Sequence, residues 1–164
     1  TGGWRADRAE SPAGGMGGMG IHMVDTMIGL CGPIKDVRCL SLRRALVVDI
    51  DDTTSMLFRF ESGITGYLGT IGATTATQRV QIFGSEGTAE IRQERHFEAR
   101  PMHGEPEIVD FGPFDKEKAE LEAFADAITG TAPYPLPNDQ AIHGISVFEA
   151  VMKSAVSGET VAVG

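Results

Sequence analysis

An imidazole and a carboxylate three residues apart, His22 and Asp25, are the residues best suited by type and spacing to proton chemistry. Imidazole ordinarily titrates near neutrality, so His22 suits a general acid/base or a proton relay. On a helix, that spacing puts the two side chains one turn apart on one side. Asp25 then either orients the imidazole or occupies a first turn where the helix dipole favours an acid; the spacing does not choose. A helix-start histidine without chemistry is the plain alternative for His22. Metal-dependent hydrolysis through the pair lacks a third ligand. His96, His103 and His143 fall in a strand, a loop and a helix without ligand spacing, and read as non-metal positions.

A second pattern invites a different chemistry. Gly15-x-Gly17-x-x-Gly20 satisfies the dinucleotide-binding fingerprint letter for letter. That fingerprint works only where a buried strand feeds the glycines, so that a pyrophosphate meets the next helix N-terminus. Here Trp4 to Ala13 precede it, a polar stretch unlike a central parallel strand. No strand–helix–strand unit closing on an acidic residue follows. The run therefore reads as a turn leading into a helix, its glycines permitting close backbone approach, whether of a ligand or not. Cys31 and Cys39 are too few for a zinc set or a disulfide framework, and read as small buried hydrophobes in a reducing compartment.

The elements that must position these residues follow from periodicity. Residues 1–20 are loop-like, and 21–30 carry helical spacing stopped by Gly32-Pro33. Residues 34–48 read as one long or broken strand. Residues 53–60 and 64–72 pair across Glu61-Ser62-Gly63, and 80–83 pairs with 88–92 across Gly84-Ser85-Glu86-Gly87. Residues 94–99 and 106–111 are weaker strands. The period then changes. Residues 115–129 form a helix capped by Asp115 and stopped by Gly130, with Leu121, Phe124, Ala125 and Ile128 on one face. Asn138 caps a helix to Ser157 whose buried stripe is Ala141, Ile145, Phe148, Met152 and Ala155. Residues 160–163 close as a strand. The expected fold is α+β: a mostly antiparallel open sheet with helices packed on one face, a two-layer sandwich in a single domain spanning 1–164.

Composition narrows the function classes. The 164 residues carry a formal net charge of −9, which argues against nucleic-acid and anionic-membrane partners. No stretch has the apolar length of a membrane span and no signal pattern opens the chain, so a cytoplasmic location is expected.

Four segments, in order, resemble one family. Gly14-Gly15-x-x-x-x-Gly20-Ile21-His22-x-x-Asp25, with a helix ending Leu30-Cys31-Gly32-Pro33-Ile34, is the first. The others are Asp51-Asp52-Thr53-Thr54 before Leu57-Phe58-Arg59-Phe60-Glu61-Ser62-Gly63, then the hairpin Gln81 to Ile91, then Phe148 to Val161. Together they resemble the C-terminal domain of the glucose–fructose oxidoreductase / inositol dehydrogenase / rhizopine-catabolism (Gfo/Idh/MocA) oxidoreductases. The resemblance implies a substrate-binding and oligomerisation domain, and a parent protein using NAD or NADP. The cofactor would sit in a Rossmann domain with a Glu-Lys-Pro motif, neither of which this chain matches. A fragment or split protein, not competent alone and with no cofactor bound to this chain, is therefore expected.

By that resemblance His22 is the substrate-contacting proton-relay histidine, needed when a secondary alcohol is oxidised to a ketone. His22, Asp25 and Arg5 are the expected substrate-binding residues, with Arg5 equally readable as a surface arginine. Many family members have an Asp four residues before the histidine; Gly18 stands there instead, which leaves open whether His22 relays protons or only binds. The expected partners are a small sugar- or polyol-like substrate, the chain's own Rossmann domain, and further copies through the sheet face. The alternative is a non-catalytic, free-standing ligand-binding or oligomerisation module of the same architecture.

Overall fold

The computed structural model describes residues 7–164. These residues divide into two compact units, one holding the described chain up to Thr74 together with Pro135–Gly164, the other Thr75–Tyr134. The fold is α+β, with two open antiparallel four-stranded sheets in place of the single sheet predicted from the sequence.

The first elements of the first unit among the described residues are a 3-10 turn, Gly14–Met16, and helix α1, Gly20–Cys31. Strands β1 (Ile34–Leu42), β2 (Thr53–Phe60) and β3 (Thr65–Ile71) follow. The alternation in β2 works as the sequence implies: Thr54, Met56, Phe58 and Phe60 are buried, while Leu57 and Arg59 are exposed. The predicted strand over 34–48 stops at Leu42, because residues 43–46 turn to wrap the Asp52 carboxylate. An irregularity in the β1–β2 register between Ile34 and Asp36 lets both Ile34 and Val37 face the core. It also puts Asp36 on the opposite face of the sheet, where it is buried beneath Arg59, whose Nε donates to its Oδ2 at 3.0 Å.

The second unit is a meander. Strands β4 (Arg79–Gly84), β5 (Gly87–Arg92), β6 (His96–Pro101) and β7 (Glu107–Asp110) pair in sequence order. Between β5 and β6, Gln93 and Glu94 both take left-handed conformations, φ 51° and 59°, in a turn that carries no glycine. Helix α2, Lys116–Thr129, starts where Asp115 accepts from Lys118 N–H at 3.0 Å and ends on left-handed Gly130. Its caps match the sequence signals, but its apolar stripe is open to solvent: Leu121 is 69% and Ile128 70% exposed.

Helix α3, Asn138–Ser157, and β8, Val161–Ala162, return to the first unit and complete the strand order β3-β2-β1-β8. Asn138 is the first helical residue, and Pro137, extended at φ −63° and ψ 145°, takes the cap position without a side-chain bond. The buried face is Gly144, Val147, Ala150, Val151 and Ser154; of the predicted stripe, Phe148 and Ala155 pack partly buried against the core, while Ile145 is 61% exposed. Apolar residues occur all round this helix, so periodicity alone does not choose a face. Small residues let the helix lie close to β1, and Ser154 tolerates burial because both its roles are satisfied. Its Oγ accepts from Cys39 N–H at 2.8 Å and donates to the Glu159 carbonyl at 2.6 Å. Helices α1 and α3 cover one sheet face, closing a core of Met16, Val24, Ile28, Met56, Phe58, Phe60, Val147 and Val151.

Candidate functional site

His22 stands in the first turn of α1 and is exposed; its side chain has no hydrogen-bond or ion-pair partner among the described residues. The loop that delivers it is fastened from several sides. Ala13 and Gly14 are consecutive left-handed residues, with φ 55° and 59°. Thr54 Oγ1 donates to the Ala13 carbonyl at 3.1 Å. A Cβ on Gly14 would lie 2.0 Å from the Asp51 carbonyl oxygen, so only glycine fits against that strand end. On Gly20 a Cβ would lie 2.4 Å from the sulfur of Met16, a fully buried side chain.

The glycines therefore serve close packing of the chain on itself. Residues 8–13, which precede the run, form turns and not the strand that a pyrophosphate loop requires. The arrangement does not fit a dinucleotide phosphate.

Beneath the loop lies a carboxylate pair. Asp51 accepts from Ser41 Oγ at 2.8 Å and pairs with Arg8 at 2.8 Å. Asp52 collects the backbone N–H groups of Leu46 and Ala45, each at 2.7 Å, that of Arg44 at 3.0 Å, and the Thr53 hydroxyl at 3.0 Å. Those donors, Leu46 first, hold the Asp52 carboxyl far below the usual carboxylate range. The pair is structural: it ties the 43–52 loop and the entry to α1 onto the sheet. Two adjacent acids opening a strand, where β-propensity disfavours them, were the signal that could have revealed it.

Asp25 does not bond His22. Its Oδ1 accepts from Gln140 Nε2 at 2.7 Å. Gln140 escaped the sequence reading because nothing local marks a glutamine in a helix's first turn as a partner for a residue 115 positions away. Arg5, with its neighbour Trp4, lies outside the described residues. The other histidines are separate: His96 Nδ1 lies 2.6 Å from Asp110 across β6–β7, His143 Nε2 accepts from Ile34 N–H at 2.9 Å, and His103 is exposed in a loop. Among the described residues no cluster could hold a metal ion.

The second unit carries its own polar concavity of about 310 Å³, lined by Arg79, Glu90, Arg92, Glu98 and Arg100. Glu90 and Glu98 oppose each other directly across β5–β6. Arginines offset that like-charge pairing, with Arg79 2.7 Å from Glu90 and Arg92 3.1 Å from it.

The described residues thus form an α+β fold with an exposed histidine at a helix start and glycines that pack the chain on itself. Residues 1–90 match the GFO/IDH/MocA C-terminal domain, and the chain belongs to that family. No curated protein matches the chain.

Solved structures show the same fold. A protein from Desulfitobacterium hafniense assigned as an NADPH-dependent oxidoreductase is similar at TM-score 0.88 and 22% identity, over 99% of this chain and 51% of that one. Aldose-aldose oxidoreductase from Caulobacter crescentus, complexed with glycerol, is similar at TM-score 0.82 and 22% identity, over 98% of this chain and 50% of that one. Levoglucosan dehydrogenase in complex with NADH is similar at TM-score 0.85 and 17% identity, over 99% and 53%. The chain thus spans about half the length of these oxidoreductases. No helix among the described residues is long and apolar enough to cross a membrane.

Proposed function

We propose that residues 1–164 are the substrate-binding and assembly domain of an NAD(P)-dependent oxidoreductase acting on sugar- or polyol-like substrates in the cytoplasm. The observation that carries this reading is the family match together with a fold shared, over about half their length, with oxidoreductases whose names include NADPH and NADH. The nicotinamide cofactor is held by a Rossmann domain of the parent protein, and this chain supplies the substrate pocket. His22 is the catalytic group, exchanging a proton with the substrate hydroxyl as hydride leaves the carbon, and with Asp25 and Arg5 it lines the substrate site. The glycerol named with the Caulobacter relative and the sugar named in levoglucosan dehydrogenase support the polyol class.

Assembly uses the sheet face turned away from α1 and α3. Leu57, Tyr67, Leu40 and Ile71 stand on it, each exposed by more than half. Among the described residues, charge on this face lies at Arg38 and the Arg59–Asp36 pair, and the apolar area between them suits packing against another copy.

The test is His22→Ala in the parent two-domain protein, assayed with NAD and NADP against a panel of polyols and aldoses. Loss of roughly 100-fold or more in kcat/KM supports acid/base catalysis. A change of only a few-fold demotes His22 to positioning, and no turnover by the wild-type protein with any of the panel overturns the oxidoreductase reading.

A further inference from the structure

In α1 the only charged side chain near His22 is Asp25, one turn away, yet that carboxylate is engaged elsewhere. Gln140 Nε2 donates to Asp25 Oδ1 at 2.7 Å and reaches the Asp25 carbonyl oxygen at 3.2 Å. One turn further along α1, Gly29 leaves the amide room: a Cβ there would sit 3.6 Å from the amide nitrogen. A longer side chain at that position would push the amide away. The contact joins the first turn of α3 to the middle of α1 within a single compact unit.

Among the described residues, the elements packed most extensively on α1 offer His22 no substitute carboxylate of comparable standing. The 3-10 turn Gly14–Met16 has no titratable side chain. In β3 the only such group is Tyr67, whose hydroxyl pairs with Ser55 at 3.3 Å. In α3, His143 accepts from Ile34 N–H and Glu149 pairs with Lys153 at 2.7 Å, which leaves Asp139 beside Gln140 as the one further acid.

We propose that Gln140 is a positioning residue for His22, clamping the Asp25 carboxylate against α3 and so withholding it from the imidazole. This deepens the role proposed for His22 and rests on that reading only for its use in catalysis; the clamp itself is tested without turnover.

The test is a pH titration of the His22 ring by two-dimensional NMR on the chain as it stands. Gln140→Ala releases Asp25 to pair with His22 at helical spacing, and the His22 midpoint moves up by about 0.3 pH unit relative to wild type, the size of an exposed one-turn pair. Gln140→Asn, one methylene shorter, moves it the same way, and serves if the alanine variant perturbs α1. Adding Asp25→Asn to Gln140→Ala returns the midpoint to the wild-type position and excludes Asp139 as the source. The proposal is overturned if Gln140→Ala leaves the midpoint where it was with α1 intact by its amide shifts. It is equally overturned if Asp25→Asn lowers the midpoint as far in the wild-type background as in Gln140→Ala. Neither result depends on His22 being catalytic, so failure of the clamp and failure of the oxidoreductase reading are distinguishable.

Discussion

Gly14→Ala should be among the most damaging single-methyl additions to this chain, and Gly18→Ala among the mildest, although the two sit four residues apart in one glycine run. Gly14 holds φ 59°, where an alanine costs about 1 kcal/mol or more relative to glycine. Its new Cβ would also stand 2.0 Å from the Asp51 carbonyl oxygen, closer than any real contact allows. The obstacle is backbone, fixed by the Ser41 and Arg8 contacts of Asp51, so it cannot swing aside as a side-chain tip would. Overpacking of that kind costs about 1–3 kcal/mol more. Together the loss is about 2–4 kcal/mol, a large share of the roughly 5–15 kcal/mol that holds a domain together. At Gly18 nothing lies within 4 Å of an added methyl and φ is not positive, so alanine there should stay within about 0.5 kcal/mol of wild type. Urea denaturation followed by circular dichroism reads both variants. A Gly14→Ala protein within about 0.5 kcal/mol of wild type, or a Gly18→Ala protein equally destabilised, would refute the account of the loop.

Four further outcomes follow from the same contacts. Because the Asp52 carboxyl is held below its unfolded value near ~4, its stabilisation is complete above that pH and lost as pH falls through it toward the folded value; Asp52→Asn should therefore weaken the fold at neutral pH and flatten its acid dependence, and parallel pH–stability curves would contradict this. Burial, with help from the Asp51 charge, pushes the Cys39 thiol up to about 11, so at pH 8 an alkylating reagent should label half-buried Cys31 and spare Cys39 until the protein is unfolded. Light scattering across a dilution series should show association through the outer sheet face, abolished by Leu57→Glu; a monomer persisting at roughly 100 μM removes the assembly proposal for this chain. Leu121→Glu should leave the stability within about 0.5 kcal/mol of wild type, because the residue is 69% exposed; a larger loss would mean that the α2 stripe is covered.

Much of this protein was legible from its residues alone. The alternation over Thr53–Phe60, the hairpin at Gly84–Gly87, the Asp115 cap and Gly130 stop of α2, and the span of α3 were all readable. So was the family, from segments distributed along the chain. These signals are local: a cap, a turn or a period is set by residues a few positions apart, and the backbone answers to them directly.

What only the tertiary structure decided is which surfaces and which polar groups meet. Helix α3 turned Val147 and Ser154 inward where Ile145 and Met152 were predicted, because the small residues and the Cys39 N–H beneath it outweighed side-chain hydrophobicity. The turn at Gln93-Glu94 was hidden, since its residues lack the glycine that usually marks positive φ. The glycines before α1 look interchangeable in sequence, yet Gly14 alone among Gly14, Gly15, Gly17 and Gly18 holds positive φ against a backbone oxygen. The spacing of Asp25 from His22 left open whether it orients the imidazole, and in the fold its carboxylate accepts from a glutamine 115 residues away. Such choices are made between residues remote in the chain, where contact geometry and the cost of leaving a polar group unpaired outweigh any local preference.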